Sequence, residues 1–142
     1  MDGSVDQHER DEAEPEEEEH LERWSVARSD ELYRISAWGQ PYFRINDAGH
    51  VEVRPDPGQE RGIDLAGLVE ELRMRGLDLP LLIRFPNILQ HRIQLINECF
   101  QQAIEEYGYE GRYRGVFPIK VNQQRHLVEE IVSAGRPWRY GL

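Results

Sequence analysis

The feature that most constrains the fold is an alternation of short apolar runs and amphipathic segments in the second half of the chain. The run Leu79–Phe85 is almost continuously apolar, as expected for a strand covered on both faces of a parallel sheet. Apolar residues then recur every three or four positions from Leu89 to Tyr107, and Gly108 follows. This spacing predicts a helix, with Asn87 as its N-terminal cap.

The same order repeats downstream. Arg112–Ile119 is predicted to be a second strand, Gln123–Ala134 a second helix, and Trp138–Leu142 the opening of a third strand. Strands that alternate with helices pair in parallel through right-handed crossovers. Two βα units occupy the 55 residues from Pro80 to Ala134, so eight would take about 220, the usual size of a (β/α)₈ barrel. We therefore expect an α/β fold comprising the first two βα units of a TIM barrel, incomplete in this chain.

A small β-hairpin subdomain is expected before the barrel. Phe43–Ile45 and Val51–Val53 alternate apolar and polar residues around turn-forming Asn46–Gly49. After a loop rich in proline and glycine, Asp64 is expected to cap a helix that stops at Gly76. The expected regions are a disordered acidic tail at 1–23, the hairpin subdomain at 24–62 and the truncated start of the barrel at 63–142.

The distribution of charge disfavours two classes of partner. Residues 1–23 contain 11 acidic and two basic side chains, whereas the remainder contains 16 acidic and 15 basic ones. An acidic tail repels nucleic-acid phosphates and anionic lipids, and no segment approaches the roughly 20 apolar residues of a membrane span. We expect neither a nucleic acid nor a membrane as partner. The acidic start also lacks a secretion signal, which predicts a cytoplasmic protein.

Lysine usage singles out one candidate catalytic residue. Of the 17 basic residues 16 are arginine, and Lys120 is the only lysine. It follows the second predicted strand, at the end where the βα loops of parallel folds meet their ligands. Among Phe117, Ile119 and Val121 its ammonium would be poorly hydrated, which favours the neutral amine, a nucleophile toward aldehydes that arginine cannot replace. The alternative is a lysine that extends from a strand end into water.

Other residues near the same end are further candidates. Arg84 closes the first predicted strand, where it can hold a carboxylate or phosphate, or can pair with a carboxylate later in the chain. Asn122 borders the same mouth, although it can also cap the next helix. Pro118 is expected to mark the bend where strand pairing ends. The histidines lack metal-ligand spacing, so the residues predict no metal site, and Cys99 is expected in the core.

The segment Gly115–Arg125, GVFPIKVNQQR, resembles the cofactor-lysine segment of biosynthetic arginine decarboxylases. These belong to the alanine-racemase-like group of pyridoxal phosphate enzymes, which also contains ornithine and diaminopimelate decarboxylases. The upstream segments WGQPYF at Trp38–Phe43 and LPLLIRFPNIL at Leu79–Leu89 are also similar to that family, the second to its first barrel strand and turn. The resemblance extends from about Trp24 to Leu142.

The resemblance implies that Lys120 carries pyridoxal 5'-phosphate. Arg84 and Asn122, which lie at the same strand ends, are then candidates to contact this cofactor. The full-length protein would then be a lyase that converts L-arginine to agmatine and CO₂ in polyamine (spermidine) biosynthesis. Mg²⁺ and a homo-oligomer with active sites between subunits are also implied. The family's phosphate loop, pyridine partner and guanidinium-reading residues would lie beyond Leu142, so the 142-residue chain alone is expected to be inactive.

Two alternatives remain open. The chain could be part of a decarboxylase for another basic amino acid, namely ornithine, lysine or diaminopimelate. It could instead be a truncated, non-catalytic remnant that acts as an interaction module, through its acidic tail or by docking on an intact subunit. A remnant that binds no cofactor would have no need of Lys120.

Overall fold

The computed structural model of the chain describes residues 23–142, so the acidic tail expected at 1–23 lies almost entirely outside the described residues. The described elements are, in order, α1 (Val26–Tyr33), α2 (Ile35–Trp38), β1 (Phe43–Ile45), β2 (Val51–Val53), β3 (Ile63–Asp64), α3 (Leu65–Met74), α4 (Pro86–Glu106), α5 (Arg125–Gly135) and a 3₁₀ turn at Arg136–Trp138. The fold is mixed α/β, with a small antiparallel sheet.

Helices α1 and α2 were not predicted from the sequence. The Ser25 hydroxyl accepts a hydrogen bond from the backbone N–H of Arg28 and so caps α1. Arg34 adopts the left-handed conformation at φ 52°, which ends α1 and redirects the chain into α2. The indole N–H of Trp24 donates to the buried Ser29 hydroxyl at 2.7 Å and ties the start of the described chain to α1.

The predicted hairpin is confirmed. β1 pairs antiparallel with β2 in the register Phe43↔Val53 and Ile45↔Val51. The side chain of Asn46 holds the turn, because its Oδ1 accepts the backbone N–H groups of residues 48 and 50. A third strand, β3, which the sequence analysis missed, pairs with the other edge of β2. Val53, at the centre of this sheet, is completely buried.

The sheet is joined to the long helix α4 through Tyr42. Only 4% of the surface of Tyr42 is exposed, and its ring meets the ring of His91 edge-on at 5.7 Å between centroids. The guanidinium carbon of Arg92 lies 5.2 Å from the Tyr42 ring centroid, a cation–π contact. The sheet and α4 are thus joined by aromatic and cation–π contacts of the Tyr42 side chain.

Helix α3 is as predicted at both ends. Asp64 caps it by accepting the backbone N–H of Gly67 at 3.0 Å, and Gly76 follows at φ 84°, a conformation that favours glycine. Helix α4 also ends where expected, before Gly108 at φ 60°. The predicted Asn87 cap is wrong, because α4 begins one residue earlier at Pro86, whose fixed φ suits the first helical position.

The placement of Cys99 in the core is also wrong, since this side chain is exposed. Helix α4 buries Ile93 and Asn97, and Cys99 lies outside that narrow row. The spacing predicts a wide apolar stripe on α4, but the rest of the described chain buries only a part of that stripe.

The predicted first strand, Leu79–Phe85, is absent from the described residues. A strand exists through hydrogen bonds to a neighbour, and no described segment pairs with this run. The second predicted strand, Arg112–Ile119, is reduced to a single parallel bridge between Val116 and Gly141. The third, Trp138–Leu142, contributes only Gly141, because Trp138 ends the 3₁₀ turn.

Two hydrogen bonds form this parallel pairing. The N–H of Phe117 donates to the carbonyl of Gly141 at 3.0 Å, and the N–H of Gly141 donates to the carbonyl of Gly115 at 2.8 Å. Helix α5 connects the two paired segments, so the structure contains one parallel β–α–β link. It does not confirm the predicted start of a (β/α)₈ barrel.

Helix α5 packs against α4. It spans Arg125–Gly135, close to the predicted bounds, and its Ile131 is 1% exposed. The side chain of Gln90 on α4 donates to the carboxylate of Glu130 on α5. Among the helices at residues 23–142, none has the length and apolar character needed to cross a membrane.

Candidate functional site

The predicted catalytic lysine follows directly from the parallel bridge. Pairing ends after Phe117, and the carbonyl of Pro118 accepts the N–H of Val121 at 3.0 Å. This hydrogen bond closes a tight turn that carries Lys120. Pro118 therefore marks the bend, as predicted, and Lys120 lies at the carboxyl end of the paired segment.

The expected apolar surroundings of Lys120 are not found. Its side chain is exposed, and so are its neighbours Ile119 and Val121, the latter to 75%. The prediction of poor hydration was wrong because the turn after Pro118 lifts these three residues away from the strand and directs them toward solvent. No described carboxylate lies within ion-pair distance of Lys120, so its amine is accessible and unpaired within residues 23–142.

Arg84 and Asn122 meet in one loop cluster. The guanidinium of Arg84 donates to the side-chain carbonyl of Gln124, and Asn122 Oδ1 accepts the N–H of Gln124 at 3.2 Å. Because α4 and α5 pack together, the segments that precede them are adjacent although Arg84 and Gln124 are 40 residues apart. The structure thus brings two predicted site residues together, with Lys120 two positions before Asn122.

The partner of Arg84 differs from the two that were predicted. The sequence favoured an anionic ligand or a downstream carboxylate, whereas the described partner is the neutral amide of Gln124. An amide oxygen orients a guanidinium without neutralising it. Gln124 can be expected from the sequence either to cap the next helix or to border the ligand mouth, and in the structure its side chain makes no cap hydrogen bond.

A cavity of about 520 Å³ lies beside this loop cluster. Its walls are mainly apolar, and its polar contributors are Arg84, Arg92, His126 and Glu130. Phe43 of the hairpin lines it together with the first turns of α4 and α5. Neither Lys120 nor Asn122 is among the lining residues, so in the described structure the lysine turn stands next to the cavity without forming its wall.

Sequence reasoning missed the contribution of three of these residues. Arg92, His126 and Glu130 were not candidates, yet each lines the cavity. The signal was present on α5, because His126 and Glu130 are four residues apart and lie beside Leu127 on one face. No group of three or more histidine, cysteine, aspartate or glutamate side chains placed to hold a metal ion occurs at residues 23–142.

Comparison with known proteins supports the resemblance that the motifs indicated. No protein-family model matches the chain. A biosynthetic arginine decarboxylase of Gloeobacter violaceus is 54% identical over 122 residues, covering 86% of this chain and 19% of the relative. The protein of the same name from a Nostoc species is 56% identical over 119 residues, covering 84% of this chain and 18% of the relative.

A biosynthetic arginine decarboxylase of Prochlorococcus marinus is 55% identical over 119 residues, again 84% of this chain and 18% of the relative. The chain therefore spans slightly under one fifth of the length of the curated relatives it matches. At this level of identity over more than four fifths of its residues, the chain is homologous to part of the biosynthetic arginine decarboxylases.

Proposed function

We propose that this chain supplies the cofactor-binding lysine of a pyridoxal-phosphate-dependent arginine decarboxylase, which converts L-arginine to agmatine and CO₂ in polyamine biosynthesis. The observation that carries the proposal is the identity of 54 to 56% to relatives of that name, in a chain whose only lysine lies in GVFPIKVNQQR. The accessible position of Lys120 after a parallel bridge agrees with it.

The residues of the loop cluster fit pyridoxal phosphate in two respects. Lys120 offers a free primary amine, which can bond covalently to an aldehyde. Arg84 offers a guanidinium held by an uncharged partner, which leaves its positive charge for a phosphate or carboxylate. When bound, the cofactor would supply the electron-withdrawing ring that stabilises the charge left on the α-carbon as CO₂ departs.

The roles of the chain's own residues follow from this fit. The amine of Lys120 would hold the cofactor through its aldehyde carbon, and as a base it could also carry a proton for the substrate. Arg84 would fix an oxyanion, with Gln124 positioning its guanidinium. Asn122 would support Gln124 through the hydrogen bond to its backbone N–H.

The proposal extends to the fold and the assembly. Residues 80–134 would form the first two βα units of a (β/α)₈ barrel, which the parallel link through α5 supports. A homo-oligomer is part of the proposal for the whole enzyme. The Mg²⁺ that the resemblance implied does not fit residues 23–142, which offer no cluster of candidate ligands, so no step is assigned to it. The cytoplasmic location expected from the sequence stays a prediction.

Arginine is favoured over ornithine, lysine and diaminopimelate because the relatives reported above all carry the arginine name. The 142-residue chain alone is proposed to be inactive, since its described residues place no carboxylate beside Lys120 to bind a guanidinium or a pyridine nitrogen. Retention of the single lysine argues against a remnant that binds no cofactor.

Reductive labelling tests the proposal. The chain is incubated with pyridoxal phosphate, reduced with borohydride and digested, and the modified amines are mapped and quantified. We expect saturable labelling of Lys120 that exceeds labelling of the Met1 amine, that falls in Arg84→Gln, and that disappears in Lys120→Arg. The same reaction in denaturant measures the intrinsic reactivity of both amines.

Equal labelling of Lys120 in the folded and the denatured chain would show that the folded 142-residue chain forms no cofactor site around this lysine. In parallel, agmatine is measured from arginine with the 142-residue chain and with any longer polypeptide that contains it. Turnover by the short chain would contradict its proposed inactivity, and turnover by a longer Lys120→Arg variant would contradict the role of the lysine.

A further inference from the structure

A second cavity, of about 370 Å³, lies at the other end of the parallel pairing. Three arginines line it, Arg112, Arg114 and Arg139, together with Asn97, Gln101 and Trp138. Two of the arginines precede Val116 and the third precedes Gly141, so the cavity adjoins the amino ends of the paired segments. Lys120 follows the carboxyl end, and the two sites are therefore distinct.

The three arginines have no carboxylate partner in the part of the chain that the structure describes. Arginines elsewhere do, since Arg44 and Arg54 share Glu52, and Arg125 lies 2.7 Å from Glu129. Residues 24–142 contain 16 acidic side chains against 15 basic ones, so carboxylates are plentiful but lie elsewhere. Positive charge gathered around one concavity without counter-charge is what an anion-binding site requires.

The walls of the cavity are held by packing rather than by the arginines themselves. The ring of Tyr113 stacks on Phe100 at 3.8 Å between centroids and 5° between planes. Asn97 is 4% exposed, and its amide donates to the carbonyl of Ile93 at 2.7 Å. Arg139 has φ 53°, a conformation that costs energy outside glycine and that directs the chain out of the 3₁₀ turn beside the cavity.

We propose that this cavity binds a small multivalent oxyanion, a metabolite with two or more phosphate or carboxylate groups. Its volume lies within the range of about 300 to 1,000 Å³ that is usual for small-ligand sites. Planar guanidinium groups bind phosphate and carboxylate oxygens in pairs, which suits several anionic groups in one ligand. The site does not depend on Lys120 or on the proposed decarboxylation.

Calorimetric titration of the 142-residue chain with pyrophosphate and, separately, with citrate tests the proposal. We expect one site per chain, and the probe that binds more tightly identifies phosphate or carboxylate as the preferred group. The double variant Arg112→Gln/Arg139→Gln should weaken binding by about tenfold or more, because it removes two charge-assisted contacts. Arg114→Lys, which keeps the charge but loses the paired geometry, should weaken binding less.

The matched control is Arg61→Gln/Arg75→Gln, which removes the same charge from exposed positions outside the cavity. Circular dichroism establishes that each variant retains the helical content of the parent. If the double variant loses helical content, the binding affinity of Arg114→Lys is used in its place to test the site. The proposal is overturned if neither probe binds, if the control weakens binding as much as the cavity variant, or if the cavity variant binds normally. Binding that appears only after deletion of residues 1–22 would also overturn it, because the acidic segment would then be the ligand.

Discussion

The phenol oxygen of Tyr42 lies 2.6 Å from Nδ1 of His91, and the hydrogen bond between them connects the hairpin region to α4. The two residues are 49 positions apart in the sequence, so this hydrogen bond is a long-range tertiary contact. Burial raises the pKa of Tyr42, and the nearby charge of Arg92 partly opposes that rise. The buried hydroxyl is tolerated because His91 satisfies it.

Replacing Tyr42 with phenylalanine removes this hydrogen bond and keeps the ring that packs on Arg92. We expect Tyr42→Phe to lower the free energy of unfolding by about 0.5 to 1.5 kcal/mol, the net contribution of one such bond. Urea denaturation followed by tryptophan fluorescence measures the change. Tyr107→Phe, at an 80% exposed position, is the control and should have almost no effect. Equal effects of the two changes would mean that the Tyr42 hydroxyl contributes nothing.

The packing of α5 against the rest of the protein depends on Ile131. Its truncation in Ile131→Ala leaves a cavity, and we expect a loss of about 2 to 5 kcal/mol in the free energy of unfolding. Val132→Ala, on the neighbouring and 38% exposed position, tests whether α5 tolerates alanine where burial is partial. Thermal unfolding of both variants gives the comparison. A larger loss from Val132→Ala would show that α5 packs through a different face.

The ring of Tyr140 lies so close to Gly115 that it leaves no room for a side chain at this position. A Cβ at this position would overlap that ring, and the carbonyl of Gly115 accepts one of the hydrogen bonds of the parallel pairing. We expect Gly115→Ala to destabilise the protein by about 1 to 3 kcal/mol through overpacking. Gly58→Ala is the control, since the nearest atom to its Cβ is Asp56 Oδ1 at 3.4 Å. Hydrogen exchange at the Gly141 amide reports on the pairing, and unchanged protection in Gly115→Ala would contradict this account.

Asp64 is expected to make the free energy of unfolding decrease as the pH becomes acidic. The backbone N–H of Gly67 is the main cause that lowers its pKa from 3.8 to about 2, followed by hydrogen bonds from His50 and Asn46. A carboxyl whose pKa is lower in the folded state stabilises the fold above its unfolded pKa and loses that contribution as pH falls toward its folded pKa. The contribution of Asp64 should therefore decline between about pH 4 and pH 2.

Asp64→Asn keeps a side-chain acceptor at the helix cap and removes the titrating group. We expect its stability to change less between pH 4 and pH 2 than that of the parent, as measured by urea denaturation at each pH. Some slope remains, because the pKa of Glu52 is also lowered, chiefly by Arg44. Asp47→Asn, in the exposed hairpin turn, should keep the slope of the parent. An unchanged slope in Asp64→Asn would disprove the assignment.

Local sequence signals predicted the elements that depend on local energy. The spacing of apolar residues found α4 and α5 within two residues at each end, and the Asn46–Gly49 turn found the hairpin. Asp64 and Gly76 bounded α3 because capping and left-handed glycine act over one turn of chain. The short helices α1 and α2 were not predicted, because they are separated by Arg34 in the left-handed conformation, and an arginine gives no sequence signal for that conformation.

The predictions that were wrong concern features that depend on contacts between distant residues or on the geometry of a single backbone turn. Leu79–Phe85 has the composition of a buried strand, but pairing is decided by partners that composition does not specify. The exposure of Lys120 follows from the tight turn closed by the hydrogen bond from the N–H of Val121 to the carbonyl of Pro118, in which Ile119 and Val121 are exposed together with the lysine. The contact of Arg84 with Gln124 required the packing of α4 on α5, which no local pattern encodes.

The bridge between Val116 and Gly141 has a consequence for the order of folding. Its two residues are separated by 25 positions, and α5 fills most of that interval. The entropy lost on closing so short a loop is modest, and a helix shortens the loop further. When the complete chain refolds, closure of this β–α–β link therefore costs less entropy than a contact of longer range such as that of Tyr42 with His91.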